Sequence, residues 1–366
     1  MSDLLYSDVE EDLRASVRGL LTDRSDAAGL HARCETDKPY DLDLWRTLAA
    51  GLGVAGLHVP EERGGQGASI RELAVVAEEL GRRVAPVPFL GSAVLATSAL
   101  LDTDDAALGL LAAGEAVGAL AVPLATAPGG PFPSSVVVVD GVLTGQVAGV
   151  VDAGVADLLV VPATGKEGPE LYVVEVADAA GLSVTQSVSL DLTRRIADVE
   201  FTDTPGRRIA GGDAAAAALN GALSVGAGVL ASEQVGLAQW CLDETVAYVK
   251  DRHQFGRPVG SFQALKHRFA ALWLELVSAR AAARYAADTL ATGDPDAPVA
   301  VAVAQSYCGS IAVHAAEECV QLHGGIGMTW EHWAHFYLKR AKSSEIALGT
   351  PGKHRAALAH LVDLPA

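Results

Sequence analysis

The chain has 366 residues, half of them apolar, and its 45 acidic and 27 basic side chains give a formal net charge of −18 at pH 7. This length allows two or three domains with a large core, and the composition excludes disordered, collagenous and disulfide-rich proteins. The acidic balance, without any basic run, argues against nucleic acid or an anionic membrane as a partner.

The cysteines indicate neither a zinc site nor a disulfide framework, because they are scattered and form no CxxC pair: Cys34, Cys241, Cys308 and Cys319. The first residues are acidic and contain no apolar signal core. No uninterrupted apolar run reaches the roughly 18 residues of a membrane span. We therefore expect a cytoplasmic protein that does not enter a membrane.

The first piece of the chain, residues 1–118, is predicted to be helical. Residues 41–50 carry apolar side chains at helical spacing and are followed by the helix breaker Gly51. Residues 69–80 begin with Ser69 and have Glu72 three positions later, which is the spacing of a capping box. The pattern predicts an N-terminal α-helical domain.

The second piece, residues 119–213, changes to strand-like patterns. Short runs rich in valine alternate with turn residues, at 135–140, 142–144, 157–161, 170–176 and 196–203. Several short strands at this spacing predict an antiparallel barrel or sandwich.

The third piece, residues 214–366, is helical again. Its predicted helices are long and follow one another with short breaks, at 214–252, 262–290, 299–323 and 331–342. Four long helices in series predict an antiparallel four-helix bundle.

Three patterns resemble functional motifs but lack the required context. Residues 51–56 spell GxGxxG, yet they follow a helical segment, so we interpret them as a helix stop and turn. Residues 349–354 lack the length and the Ser/Thr of a P-loop. The histidines show neither HxxxH nor HExxH spacing, so the sequence favours surface or core roles for His253, His267, His314, His323, His332 and His335.

Two phrases are specific. Residues 252–268 read RHQFGRPVGSFQALKHR and residues 320–328 read VQLHGGIGM. Both resemble signatures of the acyl-CoA dehydrogenase family, as do residues 51–65 and the phrase at 78–82. The resemblance covers nearly the whole chain. It implies an α-helical domain, a β-barrel and a four-helix bundle, which are the three pieces found above.

The resemblance implies FAD as the cofactor and places the two phrases on its ADP half, across a subunit interface. A diphosphate needs a fixed cation and closely approaching backbone N–H groups, which Arg252 and a glycine-rich turn can supply. Phe255 can cover an adenine or ribose face, and Gln263 offers an amide. The candidate FAD-binding residues are Arg252, Phe255, Gln263, Gln321, Gly324 and Gly325.

The catalytic base of the family is missing. The family reaction removes the α proton of an acyl thioester while the β hydride passes to the flavin, so a carboxylate must face Cα. The resemblance puts Leu348 at the usual position of the glutamate, before Gly349-Thr350, and Gly226 at the alternative position. Neither leucine nor glycine can accept a proton, so we predict no catalytic residue at either position.

The middle domain also departs from the family. Members with a complete flavin-ring site carry a Thr-Glu-Pro phrase and later a Trp-Ile-Thr/Ser phrase. The corresponding stretches here, residues 121–130 and 143–152, lack the tryptophan and its flanking hydroxyl residue. The ring half of the site is therefore altered, whereas the ADP half is retained.

We interpret the chain as a base-lacking subunit that pairs with a homologous dehydrogenase in an α2β2 tetramer. Such heteromers resemble the actinobacterial dehydrogenases that act on CoA thioesters of sterol side chains. The partner would bind most of the acyl-CoA, and an electron-accepting flavoprotein would reoxidise the flavin.

Two alternatives stay open. One is a self-sufficient dehydrogenase with a relocated base, for which the candidates are Glu233, Glu244, Glu331 and Glu345. The other is a non-redox scaffold or acyl-CoA binder of the same fold.

Overall fold

The computed structural model describes residues 4–24, 27–36 and 38–364. The first part of the chain is helical, as predicted, and contains α1 (Asp8–Arg24), α2 (Ala27–Cys34), α3 (Leu42–Arg46), α4 (Ile70–Arg83), α5 (Thr97–Leu100) and α6 (Ala107–Ala112). A π-helical segment, Phe89–Ala96, leads directly into α5.

The capping box at the start of α4 is confirmed. The Ser69 N–H donates to Glu72 Oε2 at 2.9 Å, and the Arg71 N–H donates to Ser69 Oγ at 3.1 Å. These bonds satisfy backbone donors that a helix N-terminus otherwise leaves unpaired. The local sequence alone therefore determines where α4 begins.

The middle part forms one eight-stranded, mostly antiparallel sheet with the order β6-β7-β3-β2-β4-β5-β8, and β1 pairs with β4. Its strands are β1 (Gly118–Leu120), β2 (Val136–Val139), β3 (Val142–Val151), β4 (Leu158–Gly165), β5 (Gly168–Glu175), β6 (Leu182–Gln186), β7 (Ile196–Pro205) and β8 (Arg207–Gly211).

The predicted barrel is corrected to an open sheet. Within the described residues, β6 and β8 lie at opposite ends of the strand order and do not pair with each other. β1 and β2 also pair with β4 in parallel, which a simple up-and-down barrel does not contain. One face of the sheet is buried around Phe201, Leu143 and Leu159, and this burial accounts for the apolar residues of the predicted strands.

The last part is the helical bundle. Its elements are α7 (Asp213–Asp251), the short hairpin strands β9 (His253–Gln254) and β10 (Arg257–Pro258), α8 (Gln263–Thr292), α9 (Ala297–His323), α10 (Ala334–Ile346) and α11 (Pro351–Leu361). The four predicted bundle helices correspond to α7–α10. The sequence reasoning missed α11, which packs on α9.

The helices α4 and α7 cross at very close range. A Cβ added to Gly81 would lie 2.2 Å from the Glu233 carbonyl oxygen, and one added to Gly236 would lie 1.9 Å from the Glu78 carbonyl oxygen. Only glycine permits this approach of the two backbones. One hydrophobic core consequently runs through the N-terminal helices and the bundle.

Two helical segments, Asp213–Asp251 and Ala297–Met328, are long and apolar enough to cross a membrane. In their most apolar windows, 56% and 67% of the residues are buried inside the protein. The apolar side chains that the first and third bundle helices need for their core account for this composition.

We predict that His58 makes the stability of the fold pH-dependent. Its ring is buried, and its Nε2 lies 3.0 Å from Ser98 Oγ. Burial lowers the pKa of His58 from 6.5 to about 4. Because the unfolded chain binds this proton more readily, stability should fall as the pH drops from 6.5 towards 4, by about 3 kcal/mol.

Urea unfolding of His58→Gln across this pH range checks the prediction. The variant should lose part of the acid-dependent decline, whereas a matched variant of the exposed His267, His267→Gln, should keep it. Equal pH slopes for both variants and the unsubstituted chain would contradict the role of His58.

Candidate functional site

One end of the bundle carries the two sequence phrases. α7 and α9 are the first and third helices of the antiparallel series, so their C-terminal ends lie together. The Tyr248 hydroxyl donates to the His323 carbonyl oxygen at 3.3 Å, and the two rings stack at 4.3 Å between centroids. The residues at this end are therefore drawn from the end of α7, the start of α8 and the end of α9.

All six candidate FAD-binding residues lie at this end and are exposed: Arg252, Phe255, Gln263, Gln321, Gly324 and Gly325. Arg252 immediately follows α7, Gln263 begins α8, and Gln321 lies in the last turn of α9. Across residues 4–24, 27–36 and 38–364, no side chain pairs with the Arg252 guanidinium. A charged donor is thus available to a ligand outside this chain.

The hairpin of β9 and β10 presents an aromatic ring to solvent. Phe255 lies in the turn with φ of 55°, next to Gly256 with φ of 76°. Its side chain is 91% exposed. The Arg257 guanidinium lies 3.8 Å above the Phe262 ring, a cation–π contact that steadies the base of the hairpin. The hairpin therefore offers an exposed aromatic face at this end of the bundle.

The turn after α9 leaves its backbone open. At Gly324 and Gly325, a Cβ would meet no atom of the described chain within 4 Å, and Gly324 has φ of 66°. A side chain at these positions would occupy the space that a ligand needs to approach the backbone.

Leu348 and Gly226, the two positions at which the resemblance places the family's base, lie next to each other in the core. Leu348 is fully buried, and a Cβ on Gly226 would lie 3.0 Å from Leu348 Cδ1 and 2.5 Å from Leu95 Cδ2. The Leu348 N–H donates to the Leu124 carbonyl oxygen at 2.7 Å, and His354 Nε2 lies 2.9 Å from the Leu348 carbonyl oxygen. Apolar side chains pack around both positions, and no carboxylate of the described residues contacts Leu348 or Gly226.

Glu233, a candidate for a relocated base, lies in a buried ion-pair network. Its carboxylate accepts from Arg194 Nη2 at 2.6 Å and pairs with Arg340 Nη1 at 3.4 Å. Asp191 completes the network at 3.3 Å from Arg340 Nε, and burial lowers the pKa of Arg194. The adjoining cavity is about 10 Å³, the space of a single water, so no thioester can reach this carboxylate.

The other candidate bases lie elsewhere. Glu345 is 3.9 Å from Lys342 Nζ in a surface pair. Glu331 is exposed, and Glu244 lies on α7 close to His323 and His332.

A cavity of about 430 Å³ lies between the sheet domain and α10, next to the Leu348 segment. The middle-domain stretches at 121–130 and 143–152 form one wall, through Pro123, Leu124 and Gly149, while Lys339, Lys342 and Ile346 of α10 form another. Among the described residues that line the cavity, only Asp191 carries a carboxylate, and it forms an ion pair with Arg340. This space can take a flat apolar group but offers no free proton acceptor.

Thr126, a hydroxyl residue of the stretch at 121–130, does not line this cavity. Thr126 instead lines a separate hollow of about 50 Å³, and Val151 is buried in the sheet. A second cavity, of about 340 Å³, lies between α7, α9 and α11 and is lined by Asn220, Val301 and His354 among others. The sequence analysis anticipated neither the two cavities nor the Glu233 network.

Comparison with known proteins identifies the chain's relatives. Residues 7–103 match the family profile described as acyl-CoA dehydrogenase, N-terminal domain, and residues 216–362 match acyl-CoA dehydrogenase, C-terminal domain. The acyl-CoA dehydrogenase IpdE2 of Mycobacterium tuberculosis is 36% identical over 341 residues, which cover 93% of this chain and 92% of that relative.

Two solved structures are similar over almost the whole chain. The ChsE4-ChsE5 complex from Mycobacterium tuberculosis has a TM-score of 0.88 at 26% identity and covers 100% of both chains. A variant of the Tcur3481-Tcur3483 steroid ACAD has a TM-score of 0.85 at 29% identity, covering 97% of this chain and 98% of that one. Each of the two structures is named after two different proteins.

Proposed function

Because the chain belongs to the acyl-CoA dehydrogenase family, we propose that it is a subunit of a FAD-dependent acyl-CoA dehydrogenase which lacks the catalytic base itself. It contributes the ADP half of a FAD site to a homologous partner that carries the base. The assembled enzyme introduces an α,β double bond into an acyl-CoA thioester.

The observation that carries this proposal is the contact between Leu348 and Gly226. These are the two positions at which the family places its base. They pack against each other and leave no room for a carboxylate between them. The buried network around Glu233 argues against a relocated base on α7. The proton must then be taken by a carboxylate of the partner.

The ADP end of the chain fits a FAD diphosphate. The Arg252 guanidinium supplies a charged donor, Phe255 offers an exposed aromatic face, and the open turn at Gly324 and Gly325 lets the backbone approach the ligand. Gln263 and Gln321 add amide groups on either side. When bound, FAD accepts the β hydride of the thioester, and these residues hold and orient its ADP portion.

Helix length supports binding across an interface. Arg252 follows Gly226 by 26 positions along the single helix α7, a distance of about 39 Å. That exceeds the reach of one extended FAD molecule from its ring to its adenine. One FAD therefore cannot reach both the cavity near Leu348 and the ADP end of the same chain, so a FAD held at the ADP end has its flavin ring in the partner.

The relatives support a heteromer that acts on steroid thioesters. Two neighbouring structures contain pairs of chains, and one is described as a steroid ACAD. For this chain we infer an α2β2 tetramer with fewer flavins than chains, in which the partner binds most of the acyl-CoA and an electron-accepting flavoprotein reoxidises the flavin. A sterol side-chain CoA ester is the proposed substrate class.

The surface of α8 supports assembly with further chains. Trp273 is 58% exposed and Leu274 is 62% exposed on this helix. Large apolar side chains grouped on one exposed helix favour burial in an interface. The net charge of −18 and the burial of the two most apolar helices support a cytoplasmic protein without a nucleic-acid or membrane partner.

We predict that Arg252→Ala weakens FAD retention in the assembled complex by roughly 10- to 100-fold, because a charge-assisted hydrogen bond contributes about 1.5–3 kcal/mol. Flavin absorbance after dialysis measures the loss. The control is Arg355→Ala, which removes another exposed arginine, on α11. Equal retention by both variants would reject the trans-binding role.

Assembly itself tests the proposal. Expressed alone, the chain should be poorly soluble or form a dimer with little flavin. When coexpressed with a family member that retains its glutamate before Gly-Thr, it should enter a yellow heterotetramer. Size-exclusion chromatography with light scattering measures both preparations. A colourless chain that never gains flavin with any such partner would instead support the scaffold alternative.

A further inference from the structure

Three metal-ligating side chains meet at the end of the bundle. Glu244 comes from α7, His323 is the last residue of α9, and His332 lies in the segment before α10. Their ligand atoms all lie within 4.8 Å of one another. We call this group the Glu-His-His cluster.

The hydrogen bond that His323 makes through Nδ1 leaves its Nε2 atom available to a metal. Its ring is buried, with only 3% of the residue exposed, and Nδ1 lies 2.7 Å from the Cys319 carbonyl oxygen. Because a carbonyl oxygen only accepts, Nδ1 carries the proton, and in the neutral ring Nε2 presents its lone pair. A backbone acceptor on the second ring nitrogen is the usual way in which proteins orient a ligating histidine.

The lone pair of His323 Nε2 has no partner among the described residues. A buried polar atom without a hydrogen bond is rare in folded proteins, and a missing ion is one of its ordinary explanations. Tyr248 and His332 pack against the ring, at 4.3 Å and 4.2 Å between centroids, so the ring has little freedom to turn towards another acceptor.

We propose that the Glu-His-His cluster binds a zinc ion, a site separate from the dehydrogenase chemistry. Two imidazole nitrogens and one carboxylate oxygen are a ligand set that zinc takes, with water in the fourth position. Tetrahedral ligands about 2.0–2.2 Å from zinc lie roughly 3.5 Å apart, so the cluster must contract by about 1 Å. Glu244 and His332 are only half-buried and can make this movement.

Ligation changes one hydrogen bond of His332. Its Nδ1 now accepts from the Ala334 N–H at 3.2 Å, so the neutral ring carries its proton on Nε2. Ligation through Nε2 moves that proton to Nδ1 and gives up this long bond, with no net release of a proton from the ring. The ion then joins α7, the end of α9 and the segment before α10.

The position of the cluster defines what the ion does. His323 directly precedes the open Gly324–Gly325 turn, and Glu244 lies two turns before Arg252. A metal bound here stabilises the end of the bundle that carries the exposed candidate ligand-binding residues. This structural role does not depend on whether the chain binds FAD.

Zinc binding to the full-length chain tests the inference. After removal of metal with a chelator, zinc is added and its affinity is measured by competition with a chromophoric chelator, while cobalt supplies a visible absorption band as an independent readout. We expect one zinc per chain and a higher thermal midpoint with the ion. Glu244→Gln and His332→Ala should each weaken binding by at least tenfold.

The matched controls are Glu275→Gln and His314→Ala, which remove a surface histidine–carboxylate pair 2.8 Å apart on α8 and α9. Circular dichroism confirms that every variant is folded before binding is measured. Unchanged zinc affinity in the control variants supports the proposed site. A chain that binds no zinc, or cluster variants that bind it as well as the controls do, would overturn the inference.

Discussion

Substitution of Glu233 by glutamine should destabilise the protein by about 3–5 kcal/mol, the usual cost of removing one partner from a buried ion pair. The neutral amide would deprive the buried Arg194 guanidinium of the carboxylate that now pairs with it at 2.6 Å. Chemical denaturation of Glu233→Gln measures the loss. The control is Glu317→Gln, which breaks the exposed pair with Lys342 and should change stability by less than about 1 kcal/mol.

The same variant separates a structural role for Glu233 from a catalytic one. In the assembled complex, below its unfolding temperature, Glu233→Gln should oxidise acyl-CoA at nearly the unsubstituted rate. A general base contributes roughly 10²–10⁴-fold to the rate. A loss of that size in a folded Glu233→Gln complex would show that Glu233 acts as the base and would support the relocated-base alternative.

Restoring the family glutamate with Leu348→Glu should not produce a working dehydrogenase. The carboxyl group would be buried against Gly226 and Leu95, and a buried polar group without a hydrogen bond costs about 1–3 kcal/mol. We also expect a separate loss of flavin-ring contacts, since Thr126 lines a different hollow and Val151 is buried in the sheet. A base without a positioned flavin has no hydride acceptor.

Acyl-CoA-dependent dye reduction by the isolated Leu348→Glu chain measures this directly. Leu348→Gln has nearly the same shape without the acid, so it controls for the loss of stability. Turnover by the glutamate variant that the glutamine variant lacks would show that loss of the base alone inactivated the chain.

Local signals predicted the elements whose stabilising contacts lie close together in sequence. The capping box at Ser69 and Glu72 determines the start of α4, and residues 51–56 form helical turns rather than a nucleotide-binding loop after a strand. The open sheet was not predicted, because the edge strands β6 and β8 are short and lie outside the runs from which the strands were predicted. Whether a sheet closes into a barrel depends on which strands pair with each other, and the pattern of residues along a single strand does not specify this.

The candidate site divides in the same way. The motif at 252–268 and the glycine turn at 324–325 were found because their residues are adjacent in sequence. The network of Asp191, Arg194, Glu233 and Arg340 was missed because its members come from distant parts of the chain and each one alone resembles a surface charge. The Glu-His-His cluster was missed for the same reason, since its residues match no linear spacing.

The most direct test of the account is the flavin content of the complex combined with its reduction by substrate. The chain is purified alone and with a glutamate-bearing homologue, and each sample is titrated anaerobically with acyl-CoA thioesters, from short chains to a sterol side-chain CoA ester. We expect the complex to contain about one FAD for every two chains and to lose its yellow colour on titration, while the isolated chain gives no such change. A homomer with one FAD per chain that acyl-CoA reduces without any partner would contradict the proposed division of the site.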